Sequence, residues 1–142
     1  MSGKSKWMFR NAVGAGFTME TNIQLCGFAA FWEKMKKKED WTAVIVPYGV
    51  TEIPNLAFND CKLLTSVVLP VTVRKIGWYA FSDCTSLTAN VIPDSVTTIG
   101  VGAFRNCTSL TTASIPSGAT LEKDYDGDGP FFGSPTTVTT RG

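Results

Sequence analysis

Residues 95–111 read Ser95-VTTIGVGAFRNCTSL-Thr111, and 23 positions earlier residues 72–88 read Thr72-VRKIGWYAFSDCTSL-Thr88. The same step runs outward through much of the chain. The Ala-Phe pair recurs at Ala57-Phe58, Ala80-Phe81 and Ala103-Phe104, and the cysteine that follows it at Cys61, Cys84 and Cys107. Leu64, Leu87 and Leu110 keep the register, as do Val50, Val73 and Val96, then Ile53, Ile76 and Ile99. Proline keeps it four times, at Pro47, Pro70, Pro93 and Pro116. A fixed period of this length signals stacked supersecondary units, each too small to bury its apolar face alone.

Each unit can be assigned physically. Leu64, Val67 and Leu69 have the apolar spacing of a short strand, repeated by Leu110, Ala113 and Ile115. Leu87, Asn90 and Ile92 repeat it with one polar intruder. A proline closes each strand because it lacks the N–H that a continuing ladder needs. Ile76-Gly77 and Ile99-Gly100 are expected to begin turns, glycine supplying the backbone angles of a tight return; Pro54 stands there in the first unit. The Ala-Phe-x-x-Cys stretch reads as one or two helical turns. Stacking then places Phe58, Phe81 and Phe104 in one column and Leu64, Leu87 and Leu110 in another.

The pattern Ser-Val-Thr-x-Ile-Gly-x-x-Ala-Phe-x-x-Cys-x-Ser-Leu-Thr resembles the BspA-type leucine-rich repeat family over about residues 41–118. The resemblance implies a solenoid used for adhesion and protein recognition, in bacterial surface proteins and many protist proteins, with motif positions that are structural and not catalytic. The expected fold is an α/β repeat: a short leucine-rich-repeat solenoid with parallel strands on one face and short helical turns on the other.

The chain divides into four parts: an N-terminal arm (1–27), a cap helix and first strand (28–46), three repeats (47–118), and a C-terminal cap and tail (119–142). Phe28, Phe31, Trp32, Met35 and Trp41 set against Lys34, Lys36, Lys37 and Lys38 read as an amphipathic helix over 28–41, its lysines giving the polar outer face that a solenoid end requires. Trp41 to Val46 would be the first strand. In the arm, Trp7, Met8, Phe9 and Phe17 surround Gly14-Ala15-Gly16, so the arm either folds back on the cap or docks on a partner. After Pro116 the register is lost, and the Thr-rich end reads as loop or frayed strand.

Composition narrows the function. The 142 residues are 44% apolar and 18% charged with a net charge of +1, which offers no basic footprint for nucleic acid. There is no histidine, and so neither a Ser-His-Asp nor a Cys-His nucleophile system. No phosphate loop or dinucleotide fingerprint occurs. The most apolar stretch, Trp7 to Trp32, is interrupted by Arg10, Asn11, Glu20, Asn22 and Gln24 and does not read as a transmembrane segment. The N-terminus lacks the apolar run and cleavage site of a secretory signal, which favours an intracellular or organellar location.

Three of the four cysteines follow the repeat register and are expected to be buried apolar groups; Cys26 lies outside it. Asp124, Asp126 and Asp128, followed by Gly129, match the start of a calcium loop, but Pro135 stands at the twelfth position where a bidentate Glu belongs. Asn106-Cys107-Thr108 is a glycosylation sequon, relevant only to a secreted protein. No cofactor is expected.

Side chains alternate along a strand, so with Val67 and Leu69 inward the outward row is Ile45, Val68, Val91 and Ser114, with Ala43, Ser66, Ala89 and Thr112 beside it. The candidate partner contacts are Ile45, Val68 and Val91, together with Trp78 and Tyr79 on the turn and Trp7 and Phe9 in the arm. The expected role is a non-catalytic protein–protein interaction module. The sequence favours a small accessory subunit of a large complex, membrane-associated complexes included, over a fragment of a cell-surface adhesion protein.

Overall fold

The computed structural model describes residues 4–11, 16–22 and 41–141, and for 4–11, 16–22 and 89–91 the backbone alone. The cap helix expected over 28–41 lies, apart from Trp41, outside the described residues, as does Cys26.

Eleven strands are described: β1 (Lys4–Asn11), β2 (Gly16–Asn22), β3 (Trp41–Ile45), β4 (Glu52–Ile53), β5 (Ser66–Val68), β6 (Lys75–Ile76), β7 (Ala89–Val91), β8 (Thr98–Ile99), β9 (Thr112–Pro116), β10 (Thr120–Leu121) and β11 (Thr137–Arg141). Parallel pairing in the 23-residue register builds the strand face: Ala43, Val44 and Ile45 lie beside Ser66, Val67 and Val68, and Ala89 and Val91 beside Thr112 and Ser114. The face consists of two hydrogen-bonded sheets, β2-β1-β3-β5 and β7-β9-β11, which meet where Asn90 takes the register position of Val67 and Ala113. The two-residue strands β4, β6, β8 and β10 form a second parallel ladder. The arm is an antiparallel hairpin whose β1 runs along β3, with Phe9 opposite Val44 and Met8 opposite Ile45.

The expected helical turns on the far side do not form: no helix occurs among the described residues. Leu56, Asp60, Tyr79, Asp83 and Asn106 all have φ between 53° and 63°, a left-handed conformation that ends a right-handed helix wherever it occurs. Alternate N–H groups also leave the coil. Those of Leu56, Phe58 and Asp60 donate to the carbonyls of Trp78, Ala80 and Ser82 at 2.8, 2.7 and 2.9 Å, and those of Tyr79, Phe81 and Asp83 to Val101, Ala103 and Arg105 at 3.0, 2.7 and 2.7 Å. The groups between close short turns, as in Ala57 N–H to the Pro54 carbonyl at 3.2 Å. The Ala-Phe-x-x-Cys segments are thus a third cross-coil ladder.

Gly77 and Gly100 are needed for a reason other than the expected one. Neither has a positive φ; a Cβ on Gly77 would sit 2.5 Å from Asn55 Oδ1 and 2.7 Å from the Pro54 carbonyl carbon, and one on Gly100 would sit 2.9 Å from the backbone of Gly77. Close approach of neighbouring coils sets these positions.

The core is a set of columns. Phe58, Phe81 and Phe104 are fully buried and stack with ring centroids 5.2 Å apart and ring planes within 8° of parallel. Such a pair adds about 0.5–1.5 kcal/mol beyond the area it buries. Leu64, Leu87 and Leu110 form a second buried column, Ile53, Ile76 and Ile99 a third. A side-chain ladder ties the coils at their polar edge: the Thr72 hydroxyl donates to the Val50 carbonyl at 2.8 Å and that of Ser95 to Val73 at 2.6 Å.

The segment after Pro116 is another coil, not loop or frayed strand. Phe131 stacks on Phe104 at 5.2 Å, β10 pairs with β8, and β11 pairs with β9 from Thr137 opposite Thr112 to Arg141 opposite Pro116. The step is 22 from Ile99 to Leu121 and 27 from Phe104 to Phe131, so five residues inserted around the Asp124–Gly129 turn take this coil out of register.

The thiols are structural. The Cys84 Sγ–H donates to the Phe58 carbonyl and that of Cys107 to the Phe81 carbonyl, each at 3.1 Å, and in the last coil the Ser134 hydroxyl donates to the Phe104 carbonyl at 2.6 Å. Burial pushes the Cys107 thiol up to about 12. Hydrogen bonding with Cys61, and then burial, raises the Cys84 thiol.

Two outcomes follow from this packing. Phe81→Ala is expected to lower stability in urea denaturation by about 3–5 kcal/mol, the usual loss on truncating a buried aromatic; a loss below about 1 kcal/mol would show that the ring column does not hold the coils. The Cys107 contribution to stability is fully present below the unfolded thiol value of about 8.5 and declines as pH rises toward 12, because the unfolded chain releases its proton first. Melting curves from pH 7 to 11 should show Tm falling less steeply for Cys107→Ser than for the unaltered chain, and equal slopes would contradict the assignment.

Candidate functional site

The strand face carries an exposed apolar surface on its first two coils. Ile45 and Val68 are neighbours across β3 and β5, and 40% and 55% exposed. Three residues on, past the proline that closes each strand, Tyr48 and Val71 are 75% and 70% exposed, again 23 positions apart. Val44 beneath them is buried in the core. Alternation of the strand points Ile45 and Val68 outward, and the prolines fix the chain direction that presents Tyr48 and Val71.

The Tyr48 and Val71 position is polar in the next two coils. Asp94 and Ser117 stand where Tyr48 and Val71 stand earlier. Arg141, at the end of β11, reaches across them: its Nη1 donates to Ser114 Oγ at 2.6 Å, and its Nε and Nη2 to Asp94 Oδ1 at 3.2 and 2.8 Å. Nη2 also donates to the Ile92 carbonyl. Ser114 and Asp94 are therefore held in an intramolecular clamp, while Ile45, Tyr48, Val68 and Val71 present apolar surface to solvent. Val91 lies in β7 opposite Ser114, and its side chain is outside the described residues.

The other predicted contacts separate. Trp78 is 50% exposed, its backbone N–H donating to Asn55 Oδ1 at 2.7 Å. Tyr79, at φ 53°, lays its ring over Gly102, where a Cβ would lie 2.3 Å from Tyr79 Cε1; it is a packing residue of the turn ladder. Trp7 and Phe9 lie in β1 opposite Met19 and Phe17, and only their backbones are described. Tyr48, Val71 and Arg141 went unselected in the sequence, although the Pro-Tyr and Pro-Val pairs share the repeat register.

The remaining motifs are absorbed by the fold. One Asp124 carboxylate oxygen accepts the N–H groups of Asp126 and Asp128 at 3.0 and 2.9 Å, bracing the turn, and among the described residues no three acidic or thiol side chains are grouped to hold a metal. The Asn106 amide donates to Asp83 Oδ1 at 3.0 Å and lies against Gly133, where a Cβ would meet Asn106 Oδ1 at 2.3 Å, so the sequon amide is engaged in coil packing. The raised thiols are the reverse of an activated nucleophile, which requires a depressed value. Among the described residues no helix is long and apolar enough to cross a membrane.

Comparison with known proteins accords with this architecture. The fold is similar to the crystal structure of a leucine rich cell surface protein from Faecalibacterium prausnitzii, with a TM-score of 0.54 and 21% identity, covering 71% of this chain and 32% of that one. It is also similar to a leucine-rich repeat protein from Bacteroides ovatus, with a TM-score of 0.52 and 27% identity, covering 71% of this chain and 30% of that one. The chain thus spans about a third of the length of each. No curated protein sequence matches it significantly. A profile of the BspA type leucine rich repeat region matches residues 26–125 in six copies, and the chain belongs to that family.

Proposed function

We propose that the protein is a non-catalytic protein-recognition module that binds its partner through the apolar half of the strand face, at Ile45, Tyr48, Val68 and Val71. The observation that carries this reading is that Ile45, Tyr48, Val68 and Val71 are apolar and exposed in the first two coils, whereas Asp94 in the third and Ser114 in the fourth are held by Arg141. Contiguous exposed apolar surface on a folded protein marks interaction sites, and depletion of charge at the centre is the compositional mark of an interface core. Trp78, on the turn side, supplies a second, separate aromatic contact of the type that dominates interface energetics.

Two settings suit such a module. The sequence favours a small accessory subunit of a larger assembly. A segment of a cell-surface repeat protein is supported by the family and by the description of the Faecalibacterium neighbour, and we place the module there. Cleavage of the chain by protease added to intact cells of the native source is expected in the surface setting, and full protection would return the subunit setting.

Val68→Lys combined with Val71→Lys tests the face. Both side chains are exposed, so Tm should stay within a few degrees of the unaltered protein, in keeping with surface changes of about 0.5 kcal/mol or less. Affinity capture from the native source should retain a set of proteins on the unaltered chain and lose it, by about tenfold or more, on the double variant. Equal capture by both would remove this face from the binding surface.

A further inference from the structure

We propose that the partner of the strand face is an acidic protein segment, and that Arg74 selects it by pairing with a carboxylate beside the apolar residues that seat on Val68 and Val71. This inference rests on the strand-face reading and adds the partner's charge to it. Val71 opens the corner that leads from the strand face to the second ladder. The Val73 N–H closes that corner on the Pro70 carbonyl at 3.2 Å, and the Thr72 hydroxyl is taken by the Val50 carbonyl. With Val73 buried, the corner presents Val71 and Arg74 to solvent. They are three positions apart, at most about 10 Å along the chain, so one peptide segment can cover both.

The backbone of Arg74 is fixed between two coils while its side chain is left over. Its N–H donates to the Thr51 carbonyl at 2.7 Å, and its carbonyl accepts the N–H and the hydroxyl of Thr97 at 2.8 and 3.1 Å. Its register neighbours, Thr51 and Thr97, carry no charge. In the first three coils the other charges between the proline and the end of the second ladder are answered. Lys75 has Glu52 opposite it in the ladder, and Asp94, the register neighbour of Val71, is paired with Arg141 at 2.8 Å. Among the described residues the Arg74 guanidinium has neither an ion-pair nor a hydrogen-bond partner.

Charge complementarity selects the occupant. A guanidinium offers a planar fork of donors that matches a carboxylate bidentately, and it is more weakly hydrated than an ammonium. At the rim of an apolar contact such a cation favours partners of opposite charge and rejects those that bring a like charge to it. One unanswered arginine beside exposed valines therefore fits a peptide whose apolar side chains are flanked by Asp or Glu. A nucleic acid or an anionic membrane calls for a clustered basic surface, which these coils lack because carboxylates oppose both Lys75 and Arg141.

Selection of a displayed library of random peptides on the full chain is expected to enrich sequences that place Asp or Glu within a few positions of a large apolar residue. By fluorescence anisotropy, the best such peptide should bind about tenfold or more weakly to Arg74→Thr, which installs the residue that the next coil carries there, and more weakly in about 0.5 M NaCl. Selection on Arg74→Glu should instead enrich Lys or Arg. Enriched peptides without acidic bias, equal binding to Arg74→Thr, or no enrichment at all overturns the proposal. Val68→Ser with Val71→Ser separates the two readings. If that variant loses peptides that Arg74→Thr still binds, the apolar face stands and the charge selection falls; if both variants bind equally, both readings fall. Binding to phosphatidylserine vesicles that Arg74→Thr abolishes, with no peptide enriched, overturns the proposal in favour of a membrane surface. Should Arg74→Thr fail to fold, the preference of Arg74→Glu decides.

Discussion

Hydrogen bonds to the neighbouring coil, in place of bonds within the coil, are the constraint on which this protein depends. On the turn side, the N–H groups of Leu56, Phe58 and Asp60 reach the carbonyls of Trp78, Ala80 and Ser82, and the step repeats in the next coil. A helix would consume those donors internally and leave the next coil unbonded. The left-handed residues at Leu56, Asp60, Tyr79, Asp83 and Asn106 turn alternate amides outward. With the coils drawn together in this way, the rings lie 5.2 Å apart and Gly77 and Gly100 have no room for a Cβ. Burial then follows from spacing, and each coil is stabilised chiefly by its immediate neighbours.

The same logic explains what the ladder tolerates. Between β10 and Phe131 the last coil takes in five extra residues, ten separating Leu121 from Phe131 where five separate Ile99 from Phe104, and they are looped out in the Asp124–Gly129 turn. The thiol position accepts serine because a hydroxyl reaches the same carbonyl: Ser134 bonds to Phe104 as Cys107 bonds to Phe81. Polarity at that site is acceptable when the group has a partner, which separates Ser134 from an unsatisfied buried hydroxyl.

The architecture was legible because the register at Phe58, Phe81 and Phe104, and at the leucines and prolines, admits few alternatives to stacking. Helical turns were misassigned because Ala-Phe-x-x-Cys carries no local mark of its cross-coil bonds; only the Asp and Asn residues that tolerate a positive φ hinted at it. The final coil escaped because Phe131 is displaced by four positions and Ser134 replaces the cysteine. In the candidate site, alternation identified Ile45 and Val68, whereas Tyr48 and Val71 lie beyond the strand, where alternation ceases. Arg141 could not be seen without β11, since its partners are 47 and 27 positions away.

Arg141 also changes how the solenoid comes apart. Its guanidinium holds Ser114 in the adjacent β9 rung and reaches past it to Asp94 and the Ile92 carbonyl in the rung beyond. Peeling β11 away therefore disturbs three rungs at once, so thermal fraying and mechanical pulling at β11 meet a lock that a simple one-rung zipper lacks. A repeat array that unravels one rung at a time elsewhere behaves here as a single cooperative block.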